Sequence, residues 1–334
     1  MIDLHKQLRR KIYITVVVII VLLPLIGLVI DYVTRSSSAK SNIRIDTRKV
    51  TGPLYFNWKA IAQGGEEQGV QMLQPILSQL AELKPRYIRI DHIYDFYDVI
   101  EHNGSTLSFN WAKLDKTVCD IYTTGAKPFF VLGYMSPALS KDGTLVSIPV
   151  SWDDWAETVQ KTIERYSGQD PIRCPGVGLT NSNDIYYEVW NEPDLDTFGK
   201  WSLYGGAKDY RTLYYYSSLG ARRARDVNRF HIGGPATTAV YKNWLQTFLD
   251  YVIEKDLRID FLSWHHYTKD PQEFTSDVES VRAWLPQEKY SRYYNLPKLI
   301  TEWGYDSVNN DEYNSQLAAS YTVSSVRNLV DQKI

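Results

Sequence analysis

The sequence predicts an α/β fold, a (β/α)₈ barrel that follows one transmembrane helix and stops after its seventh β/α unit. From about residue 53, short apolar runs of β type alternate strictly with segments of helical pattern. The span 53–334 is long enough for such a barrel, which needs about 250 residues. No Gly-x-Gly-x-x-Gly turn follows the first predicted strand, which disfavours a doubly wound dinucleotide-binding sheet.

The amino-terminal segment predicts a membrane anchor. Residues 12–30 are almost wholly apolar, and at about 1.5 Å per residue they can cross a bilayer. The basic residues before this run are Lys6, Arg9, Arg10 and Lys11. We therefore expect a cytoplasmic basic segment (1–11), a transmembrane helix (12–30), a polar linker (31–50) and a barrel domain (51–334) outside the cytoplasm. A cleaved signal peptide is the alternative.

The barrel elements follow from apolar periodicity and from helix signals. The predicted strands are 54–58, 86–91, 127–133, 184–190, 231–233, 259–265 and 298–301. The predicted helices are 66–83, 111–124, 151–166, 209–226, 241–255, 275–284 and 314–330. Pro85 and Gly125 mark the ends of the first two helices, and Ser151 with Asp154 marks the start of the third.

The pattern contains no eighth strand after the last helix. A barrel with a gap exposes two strand edges, which favours aggregation. Two explanations are open: the sequence is truncated at its carboxyl end, or an early segment such as 42–49 supplies a further strand.

Composition excludes several classes of function. The chain has 37 Lys and Arg against 39 Asp and Glu, so its charge offers no basis for binding nucleic acid. Cys119 and Cys174 are the only cysteines, which excludes a disulfide scaffold and a cysteine-based zinc site and leaves open whether the two pair. No His-Glu-x-x-His motif occurs, and we expect neither a metal nor an organic cofactor.

Two predicted strands end in a glutamate, and these glutamates are the candidate catalytic pair. Glu192 follows the fourth strand in an Asn-Glu-Pro motif, and Glu302 ends the seventh. Carboxyl ends of barrel strands face the active site, so the two side chains are expected to converge. Paired carboxylates are the groups that glycoside hydrolysis requires, one protonated and one ionised.

Several segments resemble a known family. They are Trp190-Asn191-Glu192-Pro193, Thr301-Glu302-Trp303, 86–89, 127–135, 232–236 and 263–267. In this order, from about Phe56 to Ser307, they resemble glycoside hydrolase family 39 in the clan of retaining (β/α)₈-barrel glycosidases. That family includes β-xylosidases and α-L-iduronidases.

The resemblance implies roles for individual residues. Glu192 is expected to be the general acid/base and Glu302 the nucleophile, with Asn191 binding the sugar 2-hydroxyl. The resemblance also places His265 and Tyr267 beside the nucleophile, where a tyrosine hydroxyl would hold Glu302 ionised. The remaining predicted substrate contacts are Arg89, Trp303 and Trp58. Arg89 could contact the nucleophile or pair with Asp91, and the two tryptophans could stack on a sugar.

The predicted function is a xylosidase-like retaining glycosidase acting on a glycoside, oligosaccharide or polysaccharide. Its carboxyl groups are expected about 5–5.5 Å apart. One rival is an endo-acting glucanase or mannanase of the same clan, which a long open cleft would favour. The other is a non-catalytic carbohydrate-binding protein of the cell surface, which the presence of both glutamates disfavours.

Overall fold

The computed structural model describes residues 2–37, 46, 48–49, 59–62, 67–104, 106–308 and 311–334. The chain divides into two compact units, Met1–Leu54 and Tyr55–Ile334. The predicted first strand (54–58), Trp58 and most of the segment 42–49 lie outside the described residues. The predicted domain limits stay predictions.

The first unit contains one long helix, α1 (Ile2–Ser37), with Pro24 inside it. Its segment Arg9–Ile30 has a mean hydropathy of 3.0 and no buried part. A helix of this length and composition can cross a membrane, and a signal sequence near an amino terminus has the same properties.

The second unit is built on a parallel sheet. Its described strands are β1 (Ala60–Ala62), β2 (Tyr87–Ile90), β3 (Ile100–Asn103), β4 (Thr106–Phe109), β5 (Lys127–Leu132), β6 (Arg173–Cys174), β7 (Gly178–Leu179), β8 (Ile185–Val189), β9 (Phe230–Thr237), β10 (Phe261–Tyr267) and β11 (Lys298–Gly304). Seven of them pair in the order β1-β2-β5-β8-β9-β10-β11, and every pairing is parallel. This order is that of a (β/α)₈ barrel, and no strand of the described residues lies between β11 and β1. The predicted barrel is confirmed.

Helices follow the strands as the sequence predicts. They are α2 (Leu77–Leu83), α3 (Ala112–Thr123), α4 (Trp152–Ser167), α5 (Tyr210–Arg223), α6 (Lys242–Glu254), α7 (Gln272–Trp284) and α8 (Gln316–Asp331). The Ser151 hydroxyl caps α4 by accepting from the backbone N–H of Asp154 at 3.3 Å. The Asp209 carboxylate caps α5 in the same way, at 2.9 Å from the N–H of Arg211.

The structure corrects two parts of this prediction. The predicted helix 66–83 is helical only over its second half, after a short 3₁₀ turn at Gln74–Ile76. Gly69 has a φ of +80°, and Pro75 lacks the N–H that a longer helix would need, so the first half cannot continue the helix. The short antiparallel pairs β3–β4 and β6–β7 were not predicted.

Aromatic side chains fill the amino half of the barrel interior. Phe129, Tyr186 and Phe261, from three different strands, pack with ring centroids 5.4–5.9 Å apart. Side chains alternate along a strand, so the next inward position on β8 after Tyr186 is Glu188. The polar residues near the carboxyl ends of the strands therefore lie directly against these three rings, which we call the aromatic floor.

A disulfide joins Cys119 on α3 to Cys174 on β6, with their Cα atoms 5.3 Å apart. The sequence left this pairing open, since nothing in it indicated that these two cysteines, 55 residues apart, meet. Cys174 lies in the connection that leads from α4 back to β8, at the end of the barrel opposite Glu192.

Candidate active site

Glu192 and Glu302 converge at the carboxyl ends of their strands. Glu302 belongs to β11, and Glu192 lies three residues beyond the end of β8. A carboxylate oxygen of each residue and a ring nitrogen of His265 all lie within 4.8 Å of one another. Both side chains are largely buried, at 12% and 20% exposure. The two carboxyl groups therefore share one small, poorly hydrated space.

The backbone around Glu192 is strained. Trp190 and Glu192 have φ values of +71° and +42°, a region that non-glycine residues seldom adopt. Two hydrogen bonds hold this conformation: the indole N–H of Trp190 donates to the carbonyl of Phe198 at 2.9 Å, and the N–H of Glu192 donates to the carbonyl of Ala236 at 3.0 Å. The turn aims the Glu192 side chain inward, beside β10.

Arg89 connects the groups of the site. Its Nη1 donates to Glu302 Oε1 at 2.6 Å, and its Nη2 donates to Asn191 Oδ1 at 2.9 Å. Its Nε donates to Glu188 Oε2, also at 2.9 Å. The guanidinium is only 4% exposed, and its planar fork fixes the angle between these three partners.

His265 lies between the two candidate catalytic carboxylates and is fully buried. Its Nδ1 is 3.0 Å from Glu192 Oε1 and 3.6 Å from Glu302 Oε2. Its Nε2 is 3.4 Å from Nη2 of Arg89, a group that can only donate. Because Nε2 faces a donor, the N–H of Nδ1 is the group that His265 donates toward Glu192.

Tyr267 reaches Glu302 from the open side of the site. Its hydroxyl donates to Glu302 Oε2 at 3.0 Å, and the family resemblance implies a contact between these two residues. Both oxygens of Glu302 are thus held, Oε1 by Arg89 and Oε2 by Tyr267. Tyr267 remains 38% exposed, so its ring borders the entrance.

The charges of the site favour an ionised Glu302. Burial alone would raise the pKa of this carboxyl, but His265, Arg89 and the Tyr267 hydroxyl outweigh burial and lower it. The pKa of Arg89 is shifted upward, because Glu188, Glu302 and, more weakly, Asp91 outweigh the effect of its burial. The lowered pKa keeps Glu302 ionised near neutral pH.

Glu188 is the residue of this network that sequence reasoning missed. It lies on the inward face of β8 and is fully buried, and Thr301 on β11 donates to its Oε1 at 2.8 Å. A signal was present in the sequence: a lone carboxylate inside the apolar strand Ile185–Val189 needs a buried cation, and Arg89 is the charged residue inside β2.

The structure has a cavity of about 590 Å³, and Glu302 forms one part of its wall. It lies along β1 and β11 and is bordered at one end by Arg89, Tyr267 and Glu302. The end of α8 and the residues after it form another part of its wall.

The sequence matches the profile of glycosyl hydrolases family 39 over residues 41–328. The chain belongs to this family. It is 26% identical over 251 residues to a β-xylosidase of Caldicellulosiruptor saccharolyticus, and the matched region covers 69% of this chain and 48% of that protein. It is 27% identical over 306 residues to a β-xylosidase of Geobacillus stearothermophilus, covering 79% and 56%. The chain thus spans about half the length of the curated relatives it matches.

Solved structures show the same fold. A monomeric β-xylosidase from Caulobacter crescentus superimposes with a TM-score of 0.64 at 23% identity, over 81% of this chain and 57% of that one. A family 39 enzyme from Xanthomonas axonopodis pv. citri gives a TM-score of 0.64 at 21% identity, over 81% and 55%.

The other predicted contacts of this family 39 chain are placed as follows. Asn191 is buried, and since its Oδ1 accepts from Arg89, its amide NH₂ is the group that can donate into the site. Trp303 follows Glu302 on the strand, and its ring packs against Phe274 and Tyr321. Its predicted stacking on a sugar stays a prediction, and Trp58 lies outside the described residues.

Glu192, His265 and Glu302 also have the spacing of a metal site. The guanidinium of Arg89 lies 2.6 Å from Glu302, so a fixed positive charge already occupies one side of this carboxylate. That charge opposes the binding of a second cation.

Proposed function

We propose that the barrel is a retaining, xylosidase-like glycosidase in which Glu302 is the nucleophile and Glu192 the general acid/base. The observation that carries this proposal is the approach of the two carboxylates, whose oxygens lie within 4.8 Å. Retaining glycosidases hold their carboxyl groups about 5–5.5 Å apart, whereas inverting enzymes leave about 6.5–9.5 Å for a water.

The roles follow from the environments. Glu302 has both oxygens held by donors and a lowered pKa, which supports an ionised nucleophile. Glu192 has no arginine contact among the described residues and accepts from His265 through one oxygen, so its other oxygen is available for a proton. Two ionised carboxylates in one space repel each other, so a pair in which Glu302 is the ionised partner and Glu192 serves as the acid avoids that repulsion.

The proposed reaction has two displacements. First, an oxygen of Glu302 bonds to the anomeric carbon as the glycosidic C–O bond breaks, and Glu192 gives its proton to the departing oxygen. Second, Glu192 takes a proton from a water whose oxygen bonds to the anomeric carbon, and the bond to Glu302 breaks. Two inversions retain the configuration.

The surrounding residues position the pair in this scheme. Arg89 and Tyr267 orient Glu302, and His265 fixes Glu192. The amide of Asn191 donates to the sugar 2-hydroxyl, where a hydrogen bond strengthens in the transition state. The curated relatives are named β-xylosidases, which supports a β-xyloside as the first substrate to test.

The test is mechanism-based labelling of the full chain in detergent. An activated 2-deoxy-2-fluoro-β-xyloside should add one fluorosugar, seen by intact mass, and peptide mapping should place it on Glu302. Glu302→Gln should take no label. Glu192→Gln should still be labelled, because an activated leaving group needs no acid. The same variant should not cleave a xyloside with a natural leaving group, whose departure requires the acid.

Other results would redirect the proposal. Label on a different residue, or a product of inverted configuration by NMR, would overturn it. Labelling only by fluorinated oligosaccharides would favour the endo-acting reading. A cooperatively folded chain that binds sugars and takes no label would favour a carbohydrate-binding protein.

We further propose that helix α1 anchors the chain with the barrel outside the cytoplasm. The basic residues before the apolar segment favour a cytoplasmic amino terminus, and the Cys119–Cys174 disulfide suits an oxidising compartment. A tagged chain should stay in the membrane after an alkaline carbonate wash, with its amino-terminal sequence intact. A mature chain that begins after residue 30 would indicate a cleaved signal sequence.

A further inference from the structure

Glu188 is a third carboxylate of the site, and the proposed reaction does not use it. It occupies the inward position of β8 directly above the aromatic floor, and none of its surface is exposed. Its neighbours across the sheet are Val131 and Gly233, which carry no charge. An isolated carboxylate at such a position would be strongly destabilised, so its partners must hold it.

Both oxygens of Glu188 are occupied. Oε2 accepts from Nε of Arg89 at 2.9 Å and lies 2.8 Å from Nη2, which makes a two-point contact with the guanidinium. Oε1 accepts from the hydroxyl of Thr301 at 2.8 Å. Because an arginine only donates, the oxygen it contacts must accept, and the geometry is that of an ionised carboxylate.

The guanidinium of Arg89 therefore lies between two carboxylates. Glu188 holds its Nε edge, and Glu302 holds Nη1. Arg89 carries one positive charge, and Glu188 and Glu302 each carry one negative charge when ionised. Glu188 alone therefore balances the charge of Arg89. Without Glu188, the same arginine would present an unbalanced positive charge to the catalytic carboxylates.

We propose that Glu188 is a positioning residue, which fixes the guanidinium of Arg89 against Glu302 and balances its charge beside the catalytic pair. This inference rests on the proposed function for the roles of the other two glutamates. It assigns Glu188 a function in setting the pH range of the site, beyond filling the barrel.

Among the described residues, the titratable groups that face Glu188, Arg89 or the catalytic pair are Glu192, Glu302, His265, Asp91, Tyr134, Tyr210 and Tyr267. Burial raises the pKa of Tyr134 and of Tyr267, so both phenols stay neutral. Tyr210 is a fully buried phenol whose pKa is raised well above its ordinary value, chiefly by burial, so it stays neutral. Arg89 is therefore the cation through which a change at Glu188 reaches the catalytic pair.

The test follows Glu192 and Glu302 directly by ¹³C NMR of the full chain in detergent, with glutamate labelled at its side-chain carboxyl. Glu192→Gln and Glu302→Gln identify the two signals. In Glu188→Gln, the unbalanced charge of Arg89 should lower the pKa of both carboxyls, by on the order of one unit. This readout needs no turnover, so it distinguishes failure of this inference from failure of the glycosidase proposal.

Charge compensation separates this role from a purely structural one. The double variant Glu188→Gln with Arg89→Gln removes one charge of each sign, so the titration of Glu192 should return close to that of the wild type. The double variant also avoids an unpaired buried arginine, and it keeps the test available if the single variant does not fold. If Glu188→Gln folds with Glu192 titrating as in the wild type, the inference is wrong. If Glu192 in the double variant titrates well below its wild-type range, the inference is also wrong.

A matched control is Asp184→Asn, which makes the same acid-to-amide change just before β8, in an exposed pair with Arg229. It should leave the titration of Glu192 unchanged. If the chain also shows turnover, both limbs of its kcat/KM profile should move to lower pH in Glu188→Gln and stay in place in Asp184→Asn. An equal shift in both variants would mean that net charge, rather than the position of Glu188, sets the pH range.

Discussion

The two ends of the barrel carry the same four kinds of side chain in different surroundings. At the carboxyl end they are Arg89, Glu302, His265 and Tyr267. At the amino end they are Arg229, Asp184, His231 and Tyr87. In each group an arginine and a histidine approach one carboxylate. The tyrosine hydroxyl donates to the acidic residue in both groups: Tyr267 donates to the carboxylate of Glu302, and Tyr87 donates to the backbone carbonyl of Asp184.

Burial distinguishes the two groups. Arg89 is 4% exposed, whereas Arg229 is 73% exposed. Water screens the amino-end pair, so its charges contribute little beyond local structure. At the carboxyl end, the same kinds of contact act in a poorly hydrated space between strand ends, where they lower the pKa of Glu302 in spite of its burial. The residue types alone therefore do not make a catalytic site.

The largest effect that this comparison predicts follows from replacing Arg89. Arg89→Met should lower kcat/KM about 10²–10³-fold, because the nucleophile loses a charged donor directed at it. It should also destabilise the fold by about 3–5 kcal/mol, since Glu188 is left as an unpaired buried charge. Kinetics on an activated xyloside and urea unfolding measure the two effects.

Its counterpart at the other end is Arg229→Met, which should leave kcat/KM within about twofold and the urea midpoint close to that of the wild type, because water screens this exposed pair. Arg89→Lys keeps the charge without the planar fork and should fall between the two. Equal losses in Arg89→Met and Arg229→Met would show that burial does not explain the difference between the ends.

The sequence allowed prediction of those parts of the site that depend on strand direction. Glu192 and Glu302 each end an apolar strand, and parallel strands of a barrel bring such ends together. The hydrogen bonds of Arg89 with Glu188 and Glu302 were harder to predict. Whether Arg89 pairs with Asp91, Glu188 or Glu302 depends on the inward or outward position of each side chain and on barrel closure, which neighbouring residues in the sequence do not determine.

An effect of intermediate size, on stability alone, is expected from the disulfide. Cys119→Ser with Cys174→Ser should lower the free energy of unfolding by about 2–4 kcal/mol, because a loop of 55 residues becomes free in the unfolded chain. The bridge ties α3 to β6, away from the carboxyl ends of the strands. Activity below the melting transition should therefore remain unchanged.

Urea unfolding and kcat/KM, measured on the same preparations, test this separation. Cys119→Ser alone is the control for the loss of the bridge with one thiol left. A double variant that folds but loses activity would mean that the two ends of the barrel are coupled, which would undermine the comparison.

The smallest effect concerns the exposed pair. The hydrogen bond from Arg229 lowers the pKa of Asp184, burial raises it by a smaller amount, and the contact with His231 lowers it again. The resulting pKa of Asp184 is about 2. A carboxyl whose pKa is lower in the folded chain stabilises that chain above its unfolded pKa of about 3.9. This contribution is lost as pH falls from about 4 to about 2. Screening by solvent limits it to about 1 kcal/mol or less.

Asp184→Asn should therefore cost less than about 1 kcal/mol at about pH 7, and the difference from the wild type should shrink as the pH falls below about 4. Urea unfolding at several pH values measures this trend. Asp153→Asn, in another exposed arginine pair, is a control for the loss of one surface carboxylate. A cost of several kcal/mol that persisted at acid pH would show that the amino-end group is energetically as important as the buried one, and exposure would no longer distinguish the two ends.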